Sequence, residues 1–138
     1  MFPTARAGTR KKTPKNTDAH PIARKLASEA AATSAAGLRA EAELILGDVD
    51  WIGGCWARAI EHLENAIAAE PEDPALAARA YPKLINYTVA HAPSEGIERA
   101  ERAFAALSSQ RVPAAVASVA FDSYWAGLLL GRGVRPEL

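Results

Sequence analysis

The chain has 138 residues with no net formal charge, and 49% of them are hydrophobic, including 32 alanines. This length suits one domain, and an alanine-rich composition with only three Trp, three Tyr and three Phe favours close-packed helices over a sheet core. The single cysteine, Cys55, excludes an intrachain disulfide and a cysteine-based metal site, so we predict a cytoplasmic location.

The first twenty residues have no periodic apolar pattern and are predicted to form a basic, disordered leader. Residues 1–16 hold five basic and no acidic side chains, while the remainder holds eleven basic and sixteen acidic ones. The leader lacks the apolar block of a secretory signal. Its cations could contact phosphates, but it has no motif that reads base edges, so we expect no specific nucleic-acid binding from this chain.

Six helices are predicted after the leader. The second ends at Gly53-Gly54, which tolerate positive φ, and the fourth begins at Pro74 with Asp73 as its N-cap. Pro82 predicts either a kink near residues 78–82 or a fresh start of the fourth helix there. The predicted ranges are about 21–34, 38–52, 55–70, 74–90, 94–108 and 113–130.

The third and fifth helices have the clearest apolar periodicity, three and four residues apart. We expect these stripes to be buried. In the third helix the stripe is Trp56, Ala59, Ile60, Leu63, Ala66 and Ile67, and in the fifth it is Ile97, Ala100, Phe104 and Leu107.

The sixth helix is apolar on most sides, because Val112 to Leu130 carries one charge, Asp122. Its length is close to that of a membrane span, but a carboxylate near its middle disfavours insertion. We therefore predict no membrane segment and a helix that needs neighbours on both faces. If nothing covers its outer side, self-association through residues 113–130 is expected.

Small residues and turn residues between positions 40 and 73 follow the spacing of a tetratricopeptide-type helical hairpin. Such a hairpin needs small residues where its helices cross, a glycine at the turn and a proline where the second helix stops. Residues 21–138 are thus predicted to be an all-α domain of stacked antiparallel hairpins, a fragment of an α-solenoid with about six helices. The matching positions are Leu46, Gly47, Gly54, Ala59, Leu63, Ala66 and Pro71.

Three segments together resemble the helical-repeat region of large ATP-binding LuxR-family transcriptional regulators, the MalT-like group. They are AELILGDVDWIGGCWARAIEHLENAIAAEPEDPALAARAY (42–81), APSEGIERAERAFAAL (92–107) and WAGLLLGRGVRPEL (125–138). The resemblance covers roughly residues 22–138. It implies a detached piece of the regulator's sensing and coupling region, truncated at its C-terminal end, because the family's P-loop ATPase and helix-turn-helix domain have no counterpart in this sequence.

The chain departs from the family pattern at three positions. His91 stands where the second hairpin usually turns on glycine, and Gly96 stands where alanine is usual. Pro82 is also unusual for its helix. These changes are expected to loosen the packing of the second hairpin.

No catalytic, cofactor-binding or metal-binding residues are predicted. His20, His62 and His91 lack helical partners at ligand spacing, and His62 is expected to be solvated on a polar face. Asp48 and Asp50 are two apart on a helix and point in different directions. An enzyme that uses Cys55 is a further alternative, but Cys55 has no His–Asp arrangement nearby in the sequence.

The predicted function is therefore non-catalytic binding of a protein or small effector, as a piece of a LuxR-type regulator. A free-standing adaptor that binds a peptide in its concave face is the alternative. Tyr87 and Trp125 fall off the main apolar stripes of their helices, and Arg79, Lys83 and Arg102 could add polar contacts. These five residues are the candidate partner-binding positions.

Overall fold

A computed structural model of the chain describes residues 19–131, and within them it contains six α-helices and no strand. The prediction of an all-α fold with six helices is confirmed. Each helix begins and ends within three residues of its predicted bounds. The helices are α1 (Ala19–Ala31), α2 (Ala36–Ile52), α3 (Trp56–Ala69), α4 (Pro74–His91), α5 (Pro93–Ser109) and α6 (Pro113–Leu129).

The basic leader falls outside the described residues, apart from its last two positions, which belong to α1. The segment from Arg132 to Leu138, which closes the third resembling sequence, also lies outside them. The solenoid truncation and the leader's disorder therefore stay predictions.

Consecutive helices pack against each other along the whole array, and α4 additionally packs against α6. One core runs through the pairs from α2 to α6, with Leu63, Ile85, Leu107 and Val119 fully buried. A smaller cluster joins α1 to α2 through Ala27 and Leu46 and their neighbours. The array thus has a continuous interior whose two ends are α1 and α6.

The turns form where the sequence predicts them. Gly54 has φ +77 after α2, and the Cys55 backbone N–H donates to the Asp50 carbonyl at 2.8 Å, which closes the end of that helix. At the start of α4, the Asp73 side chain accepts from the Ala75 backbone N–H at 2.8 Å with Pro74 at the first helical position.

Helix α4 continues through Pro82, so the alternative of a fresh helix start at this proline is wrong. Proline removes one backbone donor, but the residues around it are held in the core: Ala80 and Ile85 are fully buried and Leu84 nearly so. Packing of this face offsets the lost hydrogen bond, as tertiary contacts commonly override local helix propensity.

Two glycines mark close helix crossings. A Cβ added at Gly47 would lie 3.2 Å from the Ala59 carbonyl oxygen and from Leu63 Cγ, which confirms that α2 and α3 cross at small residues. A Cβ at Gly96 would lie only 2.5 Å from Val89 Cγ2 and 3.1 Å from the Val89 backbone. Gly96 therefore permits a tight α4–α5 contact, and the expectation that it loosens the second hairpin is wrong.

The predicted stripes are mostly buried. Ala59, Ile60, Leu63 and Ala66 of α3 are buried, and so are Ile97, Ala100 and Leu107 of α5, with Ile67 and Phe104 partly covered. Within residues 19–131, no helix is both long enough and apolar enough to cross a membrane.

Candidate functional site

The polar face between α2 and α4 brings three of the five candidate residues together. The backbones of these helices approach each other at few places, and long side chains span the gap. Arg79 donates both terminal nitrogens to the Glu41 carboxylate, one of them at 2.9 Å. Lys83 Nζ lies 2.5 Å from Asp48 Oδ2, and the Tyr87 hydroxyl donates to Asp48 Oδ1 at 2.9 Å. We call these five residues the α2–α4 face.

The pairing sets the charge states on the α2–α4 face. The hydrogen bond from Arg79 lowers the pKa of Glu41, so this carboxylate stays ionised. Burial, and then the hydrogen bond to Asp48, raise the pKa of Tyr87, so its hydroxyl stays neutral and acts as a donor. The cations of this face are thus already neutralised by α2 carboxylates.

An aromatic group extends the α2–α4 face at one end. The Trp51 ring stacks on the Tyr87 ring with centroids 4.0 Å apart and planes 2° apart. Trp56 lies 6.1 Å from Trp51 and 5.7 Å from His91. Trp56 is 47% exposed, so the prediction that it is buried is wrong: it lies at the end of the hairpin beside Trp51 and His91.

A buried charge network ties α1, α2 and α3 together. Asp50 on α2 is fully buried, and its carboxylate is paired with Arg24 of α1 and with Arg58 of α3, whose Nε lies 3.4 Å away. His62 of α3 lies between two carboxylates, with Nδ1 2.6 Å from Glu43 Oε2 and Nε2 3.4 Å from Asp50 Oδ2. Burying a carboxylate without such partners would be costly.

Sequence reasoning missed this network and expected a solvated His62. Asp50 and His62 are on different helices, and their meeting depends on how α2 and α3 cross, which residue spacing does not show. Cys55, and then the charge of Asp50, raise the pKa of Arg58. The network joins α1 to α2 and α3. Among residues 19–131, no group of three or more His, Cys, Asp and Glu side chains is placed to hold a metal ion.

The outer side of α6 exposes large apolar side chains. Phe121 is 67% exposed, Trp125 51% and Leu129 56%. Tyr124 and Leu128 lie between them and are 40% and 42% exposed. We call these five residues the α6 face, and it contains the candidate residue Trp125.

The inner side of α6 packs on α4 and contains the helix's one charge. Asp122 is only 8% exposed, and Asn86 Nδ2 of α4 donates to its Oδ1 at 3.3 Å. Burial raises the pKa of Asp122, and the hydrogen bond from Asn86 only partly opposes this. The carboxylate therefore points away from the α6 face.

The fifth candidate, Arg102, lies on α5 at a cleft between α3 and α5. The cleft has a volume of about 270 Å³ and is lined mainly by apolar side chains, with Leu84 of α4 among them. Arg99 of α5 pairs with Glu64 of α3 at this cleft. The candidate residues thus divide among three surfaces: the α2–α4 face, the α6 face and this α3–α5 cleft.

No family model, curated protein or solved structure matches this chain.

Proposed function

We propose that this chain is a non-catalytic helical-repeat module that works by binding another protein chain, as the repeat region of a LuxR-type ATP-dependent transcriptional regulator would. The observation that carries the proposal is the α6 face. Five large apolar side chains at spacings of one, three and four residues are exposed on one helix, whereas isolated exposed apolar residues are ordinary.

The size of the α6 face supports a binding role. Its side chains expose roughly 500 Å², taking 150–250 Å² for a fully exposed aromatic residue. That lies near the top of the range for the largest apolar patch on a monomer, and such patches are often functional. Two copies that paired through it would bury roughly 1,000 Å², at the lower end for a specific interface, so the association should be weak and reversible.

The occupant we propose for the α6 face is a second copy of this chain. The one charged side chain of α6, Asp122, is turned inward onto Asn86. Two α6 faces can therefore meet without opposing like charges, as a two-fold symmetric contact requires.

A non-catalytic role is supported by how the chemically active side chains are engaged. His62 is held between Glu43 and Asp50. A general base would need its acceptor nitrogen free to reach a substrate or nucleophile. In this network the imidazole is instead used to join helices.

Sedimentation velocity of the full chain over a wide concentration range tests the docking proposal. We expect a monomer–dimer equilibrium for the wild type and a monomer for Leu129→Glu, which places a charge on the α6 face. The matched control is Ile52→Glu, because Ile52 is 70% exposed on α2 and lies away from α6. A monodisperse monomer at every concentration, or equal effects of the two variants, would contradict the proposal.

The proposal that this chain is a piece of a LuxR-type regulator is tested separately, by sequencing the DNA that flanks the coding sequence. A reading frame with a P-loop upstream and one with a helix-turn-helix domain downstream would support it. Unrelated neighbouring genes would contradict it and leave the binding role, which rests on α6, unaffected.

The alternative, an adaptor that binds a peptide along the concave face, draws support from Trp56, half-exposed beside His91. It is the weaker candidate because Arg79 and Lys83 are already paired with α2 carboxylates. A peptide would have to displace those pairs.

A further inference from the structure

The α3–α5 cleft is a concave, mostly apolar surface separate from the α6 face. Ile67 and Ala68 of α3 line it together with Tyr81 and Leu84 of α4. Ile67, Tyr81 and Leu84 belong to the main core or pack on it, so this lining is held in place by the packed helices. A preformed apolar concavity of this kind is the usual form of a small-ligand site.

The charges at the cleft favour an anion with a single charge. Among the residues that line the cleft, Glu64 and Arg99 pair with each other and add no net charge. Arg99 Nη2 also lies 3.9 Å from Glu95 Oε2, and Glu95 is not part of the lining. Arg102 is exposed and has no hydrogen bond or ion pair with any residue between 19 and 131. One guanidinium is thus left to bind a ligand, and its planar donors match a carboxylate.

We propose that the α3–α5 cleft binds a small apolar monocarboxylate, with the hydrocarbon part against Ile67 and Leu84 and the carboxylate on Arg102. A volume of about 270 Å³ is slightly below the range of drug-sized pockets, which suits one aromatic ring or a short alkyl chain. A phosphate group is disfavoured because its second charge would meet no second unpaired cation at the cleft.

Two sources can supply this chemistry: a free carboxylic acid, or the C-terminal carboxylate of a peptide that ends in an apolar residue. Both present one carboxylate next to one apolar group. The site does not depend on the α6 face, so its failure would leave the proposed docking function standing.

Titrations followed by ¹H–¹⁵N NMR test the site on the full chain. The probes are 3-phenylpropionate, its neutral amide, and the peptide Ala-Ala-Phe with a free or an amidated C-terminus. We expect shifts at the amides of Ile67, Tyr81 and Leu84 with at least one of the two carboxylates, and binding about tenfold weaker or absent with both amides. Tighter binding of 3-phenylpropionate indicates a free carboxylic acid as the ligand, and tighter binding of the peptide with a free C-terminus indicates a peptide C-terminus.

Variants assign the binding to the cleft. Arg102→Gln should weaken carboxylate binding about tenfold and leave the residual binding of the amide probe unchanged. Ala68→Leu should reduce binding of every probe, because Ala68 is exposed at the cleft and a larger side chain there fills it without entering the core. Lys25→Gln is the control, since Lys25 is 77% exposed on α1 and far from the cleft.

Three results would overturn the proposal. They are the absence of shifts with both carboxylates, equal affinity for carboxylates and amides, and equal losses in Arg102→Gln and Lys25→Gln. Thermal unfolding of each variant confirms that it is folded, and Arg102 and Ala68 are both exposed, so neither change should disturb the core.

Discussion

Helix α4 contacts α2 on one side and α6 on the other, and the two contacts are built differently. Towards α2, the helices are joined by long side chains: Arg79 to Glu41, and Lys83 with Tyr87 to Asp48. Towards α6, the helices pack directly, and residues of both belong to one apolar core.

The difference shows that one helix can be joined to its neighbours by charge pairs on one side and by apolar packing on the other. Exposed ion pairs contribute little to stability and weaken with salt, whereas buried apolar contacts contribute in proportion to the area removed from water. The α4–α6 contact should therefore carry more of the folding free energy than the α2–α4 face does.

The largest expected effect comes from Val119→Ala on the α4–α6 side. Val119 is fully buried, and removing two methyl groups from the core should lower the free energy of unfolding by about 2 kcal/mol. Denaturant unfolding measures this, with the partly buried Val116→Ala as the milder comparison. If Val119→Ala cost no more than the loss of an ion pair on the α2–α4 face, the contrast between the two sides of α4 would not hold.

Gly96→Ala extends the test to the equally close contact of α4 with α5. The new Cβ would overlap Val89, so we expect a loss of about 1–2 kcal/mol in unfolding free energy even though alanine is the better helix former. Gly37→Ala is the matched control in α2, because its nearest neighbour would be Glu70 Oε1 at 3.8 Å. That variant should be neutral or slightly stabilised, and a similar loss in both would show that the crossing is not tight.

Asp122→Asn tests the one carboxylate on the close-packed side. Burial raises the pKa of Asp122 above its ordinary value of 3.8, so its contribution to stability is present below that value and lost as pH rises through the raised pKa. The variant should match the wild type in acid and exceed it near neutral pH, by up to about 1 kcal/mol. Unfolding measured at several pH values gives the difference, and one that stayed constant with pH would refute the assignment.

Glu41→Gln should have the smallest effect and the opposite pH dependence. The Arg79 hydrogen bond lowers the pKa of Glu41 below 4.5, so the pair stabilises the fold above 4.5 and the stabilisation is lost as pH falls through the lowered pKa. Because both side chains are about half exposed, the loss near neutral pH should be below about 1 kcal/mol. Raising the salt concentration should shrink the difference further, and a salt-independent loss would argue against an ion pair.

The helices were predictable because each shows a local signal. In α3, Ile60, Leu63 and Ala66 recur at helical spacing. In α4, Asp73 and Pro74 form a helix start that depends on neighbouring residues alone. Trp56 continues the same stripe in sequence but lies at the end of the hairpin, where the neighbouring helix no longer covers it. Apolar periodicity shows which face of a helix is buried. It does not show where along the helix the neighbouring helix stops covering that face.

The pairing of charges was not predictable in the same way. Arg79 and Lys83 were expected to be available to a partner, yet both are engaged by carboxylates more than thirty residues away in sequence. Asp50 and His62 meet only because two helices cross. Arg102 is the candidate cation without such a partner among residues 19–131, and only the folded arrangement distinguishes it from the others.

The attachment of α1 has a consequence for the order in which the protein opens. This helix packs on α2 through a small cluster around Ala27, and the pair between Arg24 and Asp50 holds it to the array. When α1 detaches, the Asp50 carboxylate loses the Arg24 cation and becomes hydrated. Hydration lowers the cost of moving this carboxylate out of the interior. Local opening should therefore begin at α1, whose amide protons will exchange with solvent long before those of α4.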